Sequence, residues 1–128
     1  MKKLLLTVAV MASPAFAEND SGNTLYAACS HMNGEATVQA GYCIGYLTGV
    51  WEGMKLGASL PFMLEGENSL TKLEETSNQL LRVCMPSDVE RGQMVDVVIK
   101  YLDENPADRH GPARMLTWLA LLDAFPCN

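Results

Sequence analysis

The residues of this chain with chemistry to offer are two histidines, four cysteines and a scatter of carboxylates. A hydrolase needs an activated nucleophile, a base and an oxyanion site, and His31 and His110 are the only imidazoles available. Cys29, Cys43, Cys84 and Cys127 form an even set, which in an exported chain reads as two disulfides with no thiol left to attack a substrate. A zinc site would want Cys-x-x-Cys or closely spaced Cys/His pairs. The spacings here supply none, so no metal ligands are assigned. Glu65 with Glu67, and Asp103 with Glu104, could form the paired carboxylates of a glycosidase; neighbouring acids in loops and at helix ends are far more often solvated charge. Arg109 beside His110 reads as a hydrogen-bonding pair in a link between helices. Neither a phosphate loop nor a dinucleotide fingerprint is present. The residues therefore point to a binding protein with no catalytic group and no cofactor.

The chain opens Met1, Lys2, Lys3, continues with an apolar run over residues 4–12 and closes the segment with Ala15, Phe16, Ala17. A basic start, an apolar stretch too short to span a bilayer and an Ala-x-Ala exit describe a cleaved secretory signal. The mature protein is then expected to be residues 18–128, a single domain of the bacterial periplasm. Glu18, not cysteine, follows the cleavage point, which argues against a lipid anchor. No later stretch approaches the length of a membrane helix. Loss of Lys2 and Lys3 takes the formal charge from −6 to −8. Such a surface repels phosphate backbones and suits a cationic protein partner.

The periodicity of the mature chain is helical throughout, with no sustained period-two alternation, and predicts an all-α fold, a compact bundle of about five short helices. Asn23 is a candidate N-cap for a first helix that buries Leu25, Ala28, Cys29 and Met32 and ends near Gly34. A second helix is expected from about Thr37 to Ala58. It carries Gly41, Gly45, Gly49, Gly53 and Gly57, one every four residues, and each costs about 1 kcal/mol against alanine. Close backbone approach is the natural compensation, either within the subunit or against a second copy. Pro61 and Gly66 make residues 59–68 a connection. A third helix follows, with Leu70, Leu73, Ser77, Leu80, Leu81 and Cys84 inward, and stops at Pro86. Ser87 and Glu90 have the spacing of a capping box for a fourth helix through Met94, Val98, Tyr101 and Leu102. Pro112 suits the first turn of a fifth, whose inward face is Met115, Leu116, Leu119, Leu122 and Phe125.

One stretch carries more than periodicity. Cys84, Met85, Pro86, Ser87, Asp88, Val89, then Gly92, Gln93, Met94, Val97, Val98, Tyr101, Leu102, Asn105, Pro106, Arg109, His110, Pro112 and Ala113 run on to Ala124, Phe125, Pro126 and Cys127. With the upstream Cys43, Gly45, Tyr46, Gly49 and Val50, this resembles the Rap/Tai family of type VI secretion amidase immunity proteins, over about three quarters of the mature chain.

The resemblance implies a periplasmic, helical and commonly homodimeric protein that binds and blocks a secreted peptidoglycan-cleaving cysteine amidase. On that implication residues 60–67 are the expected inhibitory element. Phe62, Met63 and Leu64 would fill the amidase cleft and Glu65 and Glu67 would meet basic residues at its rim; the alternative is that the trio packs into this protein's own core. Four cysteines permit three pairings. A similarity to the smaller periplasmic acid-stress chaperones, in which one bridge joins an early helix to the end of a later one, favours Cys29 with Cys84 and Cys43 with Cys127; geometry alone leaves the other pairings open. That chaperone class, binding unfolded clients as its carboxylates protonate, is the alternative function.

Overall fold

The computed structural model describes residues 20–32 and 34–128. The expected signal segment, residues 1–17, lies outside them. Five helices follow in order: α1 Gly22–Cys29, α2 Val38–Leu64, α3 Leu70–Leu81, α4 Arg91–Glu104 and α5 Ala113–Ala124, with a 3₁₀ turn at Pro106–Asp108 between the last two. Among the described residues the only extended pairings are two isolated bridges, Ser21 with Pro112 and Val83 with Pro126. No described helix is long and apolar enough to cross a membrane.

The body is formed by α1, the first half of α2, α4 and α5. Leu25, Leu47, Val83, Val98, Leu102 and Leu121 are wholly buried, with Trp51, Met94, Leu116 and Ala120 closing around them. On α5 the inward face is Ala113, Leu116, Thr117, Ala120 and Leu121. Of the expected stripe only Leu116 lies in this face: Met115 is exposed and Leu119, Leu122 and Phe125 flank the core. The small Ala113, Thr117 and Ala120 share this face with Leu116 and Leu121, and α4 and α1 pack on the helix.

The closest approach that a missing side chain allows is made by Gly22, not by a glycine of the α2 row. A Cβ on Gly22 would collide with Leu116 Cδ1 and lie 2.9 Å from the Arg109 carbonyl oxygen. Gly22 N–H and Asn23 N–H donate to the carbonyls of Gly111 (2.9 Å) and Arg109 (2.8 Å), and Ala113 N–H donates to Asp20 (2.7 Å), so the start of α1 is pinned to the α4–α5 link. Ser21, not Asn23, is the N-cap. The Arg109 guanidinium stacks 3.7 Å from the Tyr26 ring centroid, Tyr26 donates its hydroxyl to Asp103 at 2.7 Å, and Arg109 pairs with the same carboxylate at 3.6 Å. His110 meets the Ala107 carbonyl at 2.9 Å. These signature residues hold the link together.

Both disulfides form, with pairings that correct the expected ones: Cys29 bonds Cys43 and Cys84 bonds Cys127. Cys29 is the last residue of α1 and Cys43 lies in the second turn of α2, so the short link between these helices sets them side by side, 5.2 Å apart at Cα. α1 packs on α2, α4 and α5. Cys84, beyond the end of α3, meets the tail after α5 instead.

Two further expectations change. Residues 59–64 are helical, so α2 runs 27 residues, about 40 Å at 1.5 Å per residue. Pro61 lies in its last turns, where the single bond it forgoes belongs to the carbonyl of Gly57, on an exposed stretch that water can serve. The capping box does not form: Glu90 itself is the N-cap of α4, with no side-chain cap bond, and Ser87 lies outside the helix.

Candidate functional site

Beyond Lys55 the α2 helix leaves the body and is accompanied by α3 alone, forming a two-helix arm. Leu73 and Ser77 of α3 are buried against Ala58 and Ser59 of α2, and Lys55 bridges to Glu74 at 2.7 Å across the arm's flank. Leu70 and Leu80, placed inward by their spacing, are exposed instead. With one partner helix to face, α3 has a narrow buried stripe, and its outer leucines stay in water.

The turn at the arm's tip is tightly specified. Gly66, at φ +100°, takes the left-handed position after α2. Gly66 N–H donates to Met63 and Glu67 N–H to Phe62, the two reversed bonds of a Schellman ending. Ser69 then caps α3 by accepting from the Lys72 amide. Glu67 accepts from the amides of Asn68 (3.1 Å) and Ser69 (2.9 Å) and pairs with Lys72 at 2.8 Å. The hydrogen bond from Lys72, with those amides, holds the Glu67 carboxyl below the usual carboxylate range, and Glu67 raises Lys72 in return. Glu67 is therefore occupied in holding the turn, while Glu65 is exposed and makes no ion pair among the described residues.

Phe62, Glu65, Gly66, Glu67, Lys72 and Thr76 line an open concavity of about 490 Å³ at this tip. Phe62 is half-buried against α3, whereas Met63 is half-exposed and Leu64 is 79% exposed. A second groove of about 380 Å³ runs along the arm between Leu56, Ser59 and Met63 on one side and Leu70, Leu73 and Ser77 on the other. The trio thus stands at the end of the arm, outside the core.

Gly41, Gly45, Gly49, Gly53 and Gly57 all lie on the outward face of α2, and a Cβ built on any of them meets nothing within 4 Å. The exposed Val38, Leu56, Leu60 and Leu64 continue the same face. The outward side of α2 thus mixes side-chain-free positions and apolar side chains with the exposed Gln39 and Glu52, while its other side is buried in the body.

Every described cysteine is in a disulfide, and no three metal-ligating side chains converge among the described residues. The acidic pairs are divided: Asp103 serves Tyr26 and Arg109, and Glu104 faces Lys100 at 3.9 Å. What the arrangement can do is present apolar side chains on a rigid support.

The sequence reading missed Leu56, Leu70 and Leu80 as surface residues. A signal existed: Gly66 followed by Ser69 is a helix stop and a helix start, placing the turn five residues after Pro61. A family model for the Rap1a immunity proteins matches residues 21–127, from the cap of α1 to the last bridged cysteine. No curated protein and no solved structure matches the chain.

Proposed function

The chain belongs to the Rap1a immunity protein family, and on that premise we propose that it is a periplasmic inhibitor that binds a type VI secreted peptidoglycan amidase and plugs its active-site cleft. The observation that supports the reading best is the exposed apolar tip of the arm, Met63 and Leu64 with half-buried Phe62, raised on two helices and closed by a fixed turn. Apolar anchors at the centre of an interface with polar groups around them are the usual source of affinity. Glu65 is the rim charge, and the protein's net negative charge would speed encounter with a basic cleft. Inhibition of this kind requires no catalysis. Two disulfides suit an oxidising compartment such as the periplasm.

We propose further that the outward face of α2, from Val38 through Gly41, Gly45, Gly49 and Gly53, is where two copies associate. Five unpacked glycines weaken the isolated helix by about 1 kcal/mol each, and a second α2 laid across them would bury the face they leave open.

The same exposed leucines would also serve a chaperone for unfolded clients, and one pair of assays separates the readings. Titrating the purified protein into a purified candidate cysteine amidase of this class, with peptidoglycan as substrate, should abolish turnover at equimolar protein. Protection of denaturing clients at about pH 2 to 3, where carboxylates lose charge, together with no effect on the amidase, would favour the chaperone.

A further inference from the structure

The arm is fastened at its root by the C-terminal tail. Trp118 of α5 donates its indole N–H to the Leu81 carbonyl at 3.0 Å. Cys84 N–H donates to Phe125 at 2.8 Å and Cys127 N–H reaches back to the Arg82 carbonyl at 3.4 Å, with the Val83–Pro126 bridge between them. Val83 is wholly buried there. The Cys84–Cys127 disulfide closes this set covalently. Along the rest of its length α3 rests on α2, so these contacts are what join the last turn of α3 to the body.

The other disulfide does a different task. Cys29 and Cys43 are both wholly buried and tie α1 to the body half of α2, whereas Cys84 and Cys127 are both partly exposed. A thiolate in solution can therefore reach the bridge at the arm's root before the one in the core.

We propose that the Cys84–Cys127 bridge and Trp118 form a clamp that positions the α2–α3 arm for its partner, and that opening this bridge frees the arm's root and weakens binding while the body stays folded. The proposal rests on the reading that the arm's tip contacts the amidase. A dithiol supplies the chemistry: one thiolate attacks a bridge sulfur to give a mixed disulfide, and its second thiol displaces the protein. Two electrons pass to the Cys84–Cys127 pair, which leaves as two thiols, and the reductant closes into its own disulfide.

Amide hydrogen exchange on the full mature chain tests the clamp without any ligand. In C84S/C127S, exchange across Leu70–Leu81 should rise about tenfold or more while Arg91–Glu104 stays within about twofold of the parent. Trp118→Phe, with the disulfide intact, should move α3 in the same direction by less. C29S/C43S should instead raise exchange throughout the body. Inhibition by C84S/C127S of the amidase that the parent protein blocks should weaken about tenfold or more, the change expected when an anchor loses its orientation. An equal rise in α3 and α4, or no rise in α3, would overturn the clamp. A loosened α3 with inhibition unchanged would overturn its positioning role. Failure of the parent protein itself to inhibit would overturn the inhibitory reading, and the exchange pattern would still decide the clamp.

Discussion

Glu67 and Lys72 face each other across the tip of the arm at 2.8 Å, and the same carboxylate accepts from the Asn68 and Ser69 amides. The pair holds the turn, which leaves Glu65 beside the apolar tip as a charge with no ion pair among the described residues. Glu65→Lys should weaken amidase inhibition about tenfold, chiefly through slower association, whereas Glu67→Gln should leave inhibition near the parent level. Equal losses in both would contradict the division of roles.

The pH dependence of that turn follows from the sign of the shift. Glu67 sits below its ordinary value because Lys72 and the turn amides stabilise its charged form; its contribution is present above the unfolded value of about 4.3 and is lost as pH falls through the lower folded one. Amide resonances of Asn68 and Ser69 should therefore titrate with a midpoint below about 4.3 in the parent. In Glu67→Gln they should not titrate.

The alkaline side has its own signature. Burial pushes the Tyr42 phenol up to about 12, with the Asp20 carboxylate adding to the effect, and burial raises Tyr46 and Tyr101 as well. A raised folded value means stability is intact below the unfolded value of about 10 and falls as pH climbs from there through the folded one. Thermal melts should thus be flat up to about pH 9 and decline above about pH 10, less steeply in Tyr42→Phe. A parent and a Tyr42→Phe variant with superimposable alkaline profiles would contradict it.

Two glycine substitutions should act in opposite ways. Gly22→Ala drives a methyl into Leu116 and the Arg109 carbonyl, and should lower stability by about 1 to 3 kcal/mol, as overpacked sites do. Gly45→Leu with Gly49→Leu enters open space, so the monomer should melt no lower than the parent. If α2 pairs with a second copy through this face, the parent should sediment as a dimer and the double variant as a monomer at the same concentration. A parent that is monomeric, or a double variant that is still dimeric, would refute that interface.

The helical class, the two disulfides and the family were legible because they rest on local signals: 3.6-residue periodicity, an even cysteine count and a run of matched residues from Cys84 to Cys127. What failed depended on which surfaces meet. Cys29 finds Cys43 because α1 and α2 are neighbours, and spacing alone does not say which helices pair. Leu70 and Leu80 obey an inward period, but α3 has a single helix to pack on. Pro61 reads as a breaker, yet near a helix end it removes only one hydrogen bond. The glycine row was visible and its direction was not, since four-residue steps are compatible with either face until the core chooses one.

The central claim is that the end of the arm is an anchor for another protein and no part of this protein's own core. Its most direct test is amidase inhibition by Phe62→Ala/Met63→Ala/Leu64→Ala, measured beside the thermal melt, with Met63→Ala/Leu64→Ala as the version that spares half-buried Phe62. The account expects both variants to lose inhibition while melting within about 5 °C of the parent, a shift near that of 1 kcal/mol for a domain of this size. Full inhibition by either variant, or a loss that appears only where the fold itself has collapsed, would contradict it.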